Sequence, residues 1–148
     1  MNIALTLGTF DVPHEGHISL FHRASKFGPL FVALNTDEFV AKYKGKKPVM
    51  TLSERASMVE KLPCVSGILV NEDEGKTVIN KLNPEWIIIG SDWMYRDYPK
   101  QLGFDCAGWE KWKARVIYVP YGSFIPSSEM KHRLLQEIAT DVAAGRTA

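Results

Sequence analysis

The sequence predicts an α/β fold in which a doubly wound, mostly parallel sheet of five strands lies between two layers of helices. Five short apolar runs alternate with segments of helical character, the order that gives a parallel sheet with crossover helices. The run Trp86-Ile87-Ile88-Ile89 is apolar without alternation, as a strand covered on both faces requires. Polar, glycine-bearing segments follow the carboxyl ends of the runs, where an open parallel sheet places its ligand. Together these give a three-layer α/β/α, Rossmann-like arrangement, read as one domain over residues 1–140 with a fraying tail at 141–148.

The elements follow in order. Ile3, Ala4, Leu5 and Leu7 form a buried first strand that ends at Gly8. After a tight polar passage, a helix is expected with Ile18, Phe21, Ala24 and Ser25 on one face and Gly28 as its stop. Leu30 to Leu34 is the second strand, parallel to the first through a right-handed crossover. Ala41 to Pro48 carries four lysines in six residues, Lys42 to Lys47, beside a glycine and a proline, and reads as a loop. Thr51-Leu52-Ser53-Glu54 fits a capping box, so a helix runs from there to about Leu62, before Pro63. Val65 to Val70 is the third strand, Thr77 to Leu82 a short helix broken by Asn83-Pro84, and Trp86 to Ile89 the fourth strand. Residues 94–113 are long, aromatic and charged, and are expected to shape a second-substrate pocket or a dimer contact. Arg115 to Val119 is the fifth strand, and a last helix begins after Pro126 with Ser127 or Ser128 as N-cap.

Composition excludes several classes of function. A formal net charge of +1 over 148 residues gives no bulk electrostatic case for a nucleic-acid polymer as partner. No apolar stretch approaches the roughly 20 residues needed to cross a bilayer. The first residues, MNIALTLGTF, lack a basic region and a cleavage site and read as strand rather than signal peptide, so a cytoplasmic location is expected. Cys64 and Cys106 are isolated, which fits free thiols in a reducing compartment. Gly75-Lys76-Thr77 after a strand lacks Walker A spacing, since seven residues rather than four separate Gly67 from Gly75. A three-histidine metal site is excluded as well: His22 lies five residues past His17, roughly 140° around a helix, so His14, His17 and His22 do not converge.

The chemistry concentrates in Leu7 to Arg23, LGTFDVPHEGHISLFHR. His14 and His17 straddle Gly16 at a helix entrance, where backbone amides attract anions and glycine allows close approach. Two imidazoles there can stabilise a phosphate that gains charge during reaction. GTFD followed by HxGH resembles the signature of the nucleotidyltransferase superfamily, and within it the cytidylyltransferases, most closely the glycerol-3-phosphate cytidylyltransferases. Asn35 to Phe39, the paired Lys44 and Lys46, Arg55, Gly90-Ser91-Asp92-Trp93 and Ile125 to Lys131 extend the resemblance along most of the chain.

The resemblance implies transfer of CMP from CTP to a small phosphorylated alcohol, with release of pyrophosphate. His14 and His17 would stabilise the α-phosphate and Lys44 and Lys46 the leaving pyrophosphate. Thr9, Phe10, Gly16, Arg55, Asp92, Ser127 and Ser128 would bind the nucleotide. Asp11, Asp37, Lys76 and Trp93 would face the acceptor. Mg²⁺ would enter with the triphosphate, steered by Asp11, with no all-protein metal cage. A homodimer is a further expectation. The chain departs from the family in the last segment, where Tyr121 and Ser123 replace an arginine and a glutamate. Two alternatives stay open: adenylyl transfer, as in the phosphopantetheine adenylyltransferases, and a nucleotide-binding regulatory protein without turnover.

Overall fold

The computed structural model describes residues 2–91, 94, 96–120 and 127–146, and for Ser127 and Met130 the backbone only. Five strands form one sheet: β1 (Ala4–Gly8), β2 (Leu30–Asn35), β3 (Val65–Asn71), β4 (Trp86–Gly90) and β5 (Val116–Val119). Their order is β3-β2-β1-β4-β5, and every pairing is parallel. The order reverses direction between β1 and β4, the switch point at which such sheets bind ligands. Pairing there is short. β1 meets β2 along its whole length, from Ala4–Leu30 to Gly8–Leu34, but meets β4 only at Ala4–Trp86 and Leu5–Ile87. Beyond Leu5 the two strands part, and a crevice opens between them.

Helices cover both faces. The first helix, α1 (Glu15–Ala24), and α3 (Leu52–Glu60) close one core, in which Phe10, Leu20, Phe21, Ala24 and Val59 pack on Ala4, Val32, Leu34 and Ile88. On the other face α4 (Lys76–Leu82), α5 (Tyr98–Gln101) and α6 (Cys106–Glu110) enclose Ile79, Tyr98, Leu102, Phe104 and Trp112 against Leu5, Ala33, Ile87 and Ile89. A last helix, α7, spans Ser127–Ala143.

Four expectations need correction. The buried face of α1 is Gly16, His17, Leu20, Phe21 and Ala24, whereas Ile18 is 44% exposed; the stripe is set one residue earlier because Phe10 packs beneath it. The lysine-rich stretch is not wholly a loop. A helix, α2 (Asp37–Lys44), runs into it, capped by the Thr36 hydroxyl and ended by Gly45 in the left-handed region, so Lys42 and Lys44 sit in the last turn, where the helix dipole favours cations. Residues 94–113, expected at a second-substrate pocket or a dimer contact, also serve the core: Tyr98, Leu102, Phe104 and Trp112 are buried and supply apolar cover to this face of the sheet, while most of the other described residues of the segment are exposed. Helix α7 continues past residue 140 to Ala143, and Arg146 turns back to Asp141 at 2.9 Å.

Candidate active site

The loop after β1 is built around one carboxylate. Phe10 and Val12 both hold left-handed backbone, at φ 49° and 48°, which is costly for residues with a β-carbon. Between them Asp11 is buried and accepts from the Val49 and Met50 amides at 2.8 and 2.9 Å. Lys131 of α7 completes its shell at 2.7 Å. Burial raises the Asp11 pKa, but the Lys131 ammonium and the two amides outweigh it and hold the carboxyl below its ordinary value. Asp11 thus ties three segments together: the strained loop, the residues before α3, and the start of α7.

The strained turn delivers the histidines to the sheet edge. His14 is the N-cap of α1, its Nδ1 accepting from the Gly16 amide at 3.0 Å, while its own amide donates to His17 Nδ1 at 3.4 Å. The rings stack at a centroid distance of 4.0 Å, and Phe10 meets His17 edge-on at 5.2 Å. Each Nδ1 accepts a hydrogen bond, so each neutral ring carries its proton on Nε2. Burial lowers both pKa values. For His17, burial first and the neighbouring His14 second push it down to about 3. The pair is therefore neutral at pH 7 and presents N–H donors rather than cations.

A cleft of about 390 Å³ lies over the β1/β4 crevice. Thr9, Phe10, Asp11, His17 and Lys44 line it, so five of the residues expected from sequence share one site. His14 joins them through its stack on His17.

Other expected residues take different places. Arg55, expected on a nucleotide phosphate, is fully buried; its guanidinium donates to the Met50, Thr9 and Asn35 carbonyls and to Asp37 Oδ1, at 2.7 to 3.2 Å. Asp37, expected at the acceptor, is the other half of that ion pair and accepts from the Leu52 amide. The Gly16 amide, expected to face an anion, is taken by His14. Asp11, expected to face the acceptor and steer Mg²⁺, has both oxygens engaged, and among the described residues no cluster of three His, Cys, Asp or Glu could hold a metal ion. Lys46 and Ser128 are exposed and outside the cleft lining. Lys76 stands over the Phe104 ring at 5.7 Å, also outside it. Asp92, Trp93 and the Ser127 side chain lie outside the described residues.

The cleft also contains residues that the sequence analysis did not assign. Lys131 is one, although it falls within the segment that carries the resemblance. Asn35 and Asn71 are others. They end adjacent parallel strands in register, and the Asn71 amide donates to Asn35 Oδ1 at 2.8 Å. An asparagine as the last residue of an apolar strand is the signal that could have revealed them, since that end of a parallel strand faces the ligand.

A family model described as cytidylyltransferase-like matches residues 5–132. The chain belongs to the cytidylyltransferase-like family. It is thus a nucleotidyltransferase of the HxGH superfamily. Among its relatives in that family is the D-beta-D-heptose 1-phosphate adenylyltransferase of Bordetella bronchiseptica, 31% identical over 123 residues, covering 80% of this chain and 73% of that protein. The bifunctional protein HldE of Helicobacter pylori is 35% identical over 98 residues, which cover 64% of this chain and only 21% of HldE. The cytidylyltransferase-like fold recurs in the lipopolysaccharide core biosynthesis protein of Thermoplasma volcanium, with a TM-score of 0.64, 23% identity, and coverage of 84% of this chain and 99% of that one. None of the described helices of this family member is long and apolar enough to cross a membrane.

Proposed function

We propose that this nucleotidyltransferase moves AMP from ATP to the phosphate of a small phosphorylated acceptor. The observation that carries the reading is the neutral His14–His17 pair, whose Nδ1 atoms accept from backbone amides so that each ring keeps its proton on Nε2, with His17 in the cleft lining and His14 stacked on it. An acceptor phosphate oxygen attacks the α-phosphorus in line. The bond from the α-phosphorus to the bridging oxygen breaks, and pyrophosphate leaves with the electron pair. The acceptor is already an anion at neutral pH, so no strong general base is needed, and catalysis rests on positioning and charge neutralisation. The two imidazoles donate to the α-phosphate oxygens as charge builds there. Lys44 lies on the cleft wall to meet the departing pyrophosphate. Mg²⁺ would enter this proposal only with the triphosphate, where it would add charge neutralisation; no described residue is assigned to hold it.

ATP is preferred to CTP for two reasons. A relative that shares 31% of its residues with this chain is named as an adenylyltransferase. The Asn35 to Phe39 stretch, part of the resemblance to the cytidylyltransferases, has an architectural cause here: Thr36 caps α2 and Asp37 pairs with Arg55. CTP remains the competing donor.

The test is pyrophosphate release with Mg²⁺, offering ATP, CTP, GTP and UTP against heptose 1-phosphate, hexose 1-phosphates and glycerol 3-phosphate. Turnover with ATP that His17→Ala lowers by about 100-fold or more supports the proposal. Turnover with CTP alone reverses the choice of donor. Nucleotide binding without release under any pairing overturns the transferase reading.

A further inference from the structure

Of the residues expected at the acceptor, Asp11 lines the cleft with both oxygens engaged, Asp37 and Lys76 lie outside its lining, and Trp93 is outside the described residues; a second-substrate wall is built from other residues. It is made by two segments in contact. The end of β3 contributes Asn71, the loop after it Glu74, and the segment after β4 contributes Arg96, Tyr98 and Gln101. Their contact is intimate: a β-carbon on Gly103, whose φ is 78°, would fall 2.3 Å from Glu74 Oε2, and one on Gly75 would fall 2.8 Å from the Leu102 side chain. Glycine at these two positions lets the segments close on each other.

The chemistry of this wall differs from that of the wall opposite. Lys44, Lys131 and the histidine pair suit a polyphosphate. The far wall sets one guanidinium, Arg96, among a carboxylate and two amides. A guanidinium recognises a phosphate by paired hydrogen bonds. Carboxylate and amide oxygens accept from hydroxyl groups.

Asn71 adds an independent observation. It is 2% exposed, its Nδ2 donates to both Asn35 Oδ1 and the Asp73 carbonyl, and its Oδ1 has no hydrogen-bond partner among the described residues. The amide cannot be reversed, because its oxygen would then face two carbonyl-type acceptors. A buried acceptor without a partner beside a ligand cleft calls for a donor from the ligand.

We propose that Asn71, Glu74, Arg96 and Gln101 form the acceptor subsite, and that the acceptor is a polyhydroxylated phosphate, a sugar phosphate, held by Arg96 at its phosphate and by the other three at its hydroxyl groups. This rests on the nucleotidyl-transfer reading for the word acceptor, but the subsite can be tested without turnover.

Calorimetric titration of the protein with mannose 1-phosphate, glucose 1-phosphate, heptose 1-phosphate, glycerol 3-phosphate and phosphoethanolamine provides the test, with ATP and CTP titrated in parallel. At least one sugar phosphate is expected to bind more tightly than phosphoethanolamine. Arg96→Ala and Gln101→Ala, both away from the buried core, are expected to weaken that sugar phosphate by about 10-fold each and leave nucleotide affinity unchanged. Asn71→Ala, checked by thermal melting for an intact fold, is expected to erase the preference of the wild type for the sugar phosphate over its monodeoxy analogues. Three results overturn the proposal: equal binding of phosphoethanolamine, unaltered sugar-phosphate affinity in both surface variants, or no binding of any sugar phosphate by the wild type. A protein that binds sugar phosphates as described but releases no pyrophosphate keeps the subsite and loses the transferase reading.

Discussion

At the scale of single residues, the chemistry follows from where protons sit. His17 is buried and neutral, with its proton directed to Nε2 by the bond that Nδ1 accepts from the His14 amide. Imidazole ¹⁵N shifts are therefore expected to show an unprotonated Nδ1 and a protonated Nε2 for His17 from about pH 5 to pH 8, with no titration near its ordinary value of 6.5. Stability carries the same signature. The folded pKa is depressed to about 3, so the unfolded chain binds the extra proton between about pH 6.5 and 3, and stability falls as the pH drops through that window. Denaturant titrations at steps of pH check the sign: His17→Gln should flatten the loss. Backbone strain sits beside this pair. Val12 holds φ 48° with a branched β-carbon, and Val12→Gly removes a cost of order 1–3 kcal/mol against about 1 kcal/mol of added chain entropy. The variant is expected to be at least as stable as the wild type and slower in turnover, because the turn that aims the histidines is loosened. Melting and rate measurements on one preparation would show both.

At the scale of elements, the instructive residue is Arg55. A cation in the first turn of a helix is disfavoured by the dipole unless an anion lies nearby, and the resemblance implies a nucleotide phosphate in that role. The structure supplies the anion from within, as Asp37, and three carbonyls besides. Through these bonds one guanidinium joins the Thr9 loop, the end of β2, the start of α2 and the entry to α3. Arg55→Lys keeps the charge but loses the fork, and removing one partner of a buried pair costs about 3–5 kcal/mol, so a loss near the low end is expected for Lys and the full range for Ala in urea unfolding. This is also where sequence reading reached its limit. The strands, α1, α3 and the clustering of Thr9, Phe10, Asp11, His17 and Lys44 were legible because apolar runs and the HxGH spacing are local signals. Helix α2 was hidden under a lysine run, although Thr36 and Gly45 mark its two ends. The roles of Arg55 and Asp37 were hidden for another reason: burial depends on neighbours 18 and more positions away, which spacing does not encode. That Tyr98, Phe104 and Trp112 of residues 94–113 also belong to the core was hidden for the same reason, since only the assembled sheet reveals that one of its faces needs them.

At the scale of the whole molecule, the site is a seam between two halves. The β3-β2-β1 half brings Thr9, His17, Asn35 and Asn71, and the β4-β5 half brings Ile89 and Gly90, then Arg96 and Gln101. Lys131 crosses from α7 to Asp11 and links the last helix to the first loop. Lys131→Ala leaves the Asp11 carboxylate, which is held mostly out of water, without its cation; turnover is expected to fall at least 10-fold, and the stability that the pair confers, present at neutral pH and lost as acid protonates Asp11, should shrink. The two halves themselves are stitched together at only two ladder positions, Ala4–Trp86 and Leu5–Ile87. That makes the amino-terminal edge of β1 the spine of a book whose pages open toward the substrates. The width of the reading gap is set at the binding, so enlarging Ala4 or trimming Ile87, both at the amino-terminal end of the β1/β4 ladder, should alter the fit of both substrates without touching either one.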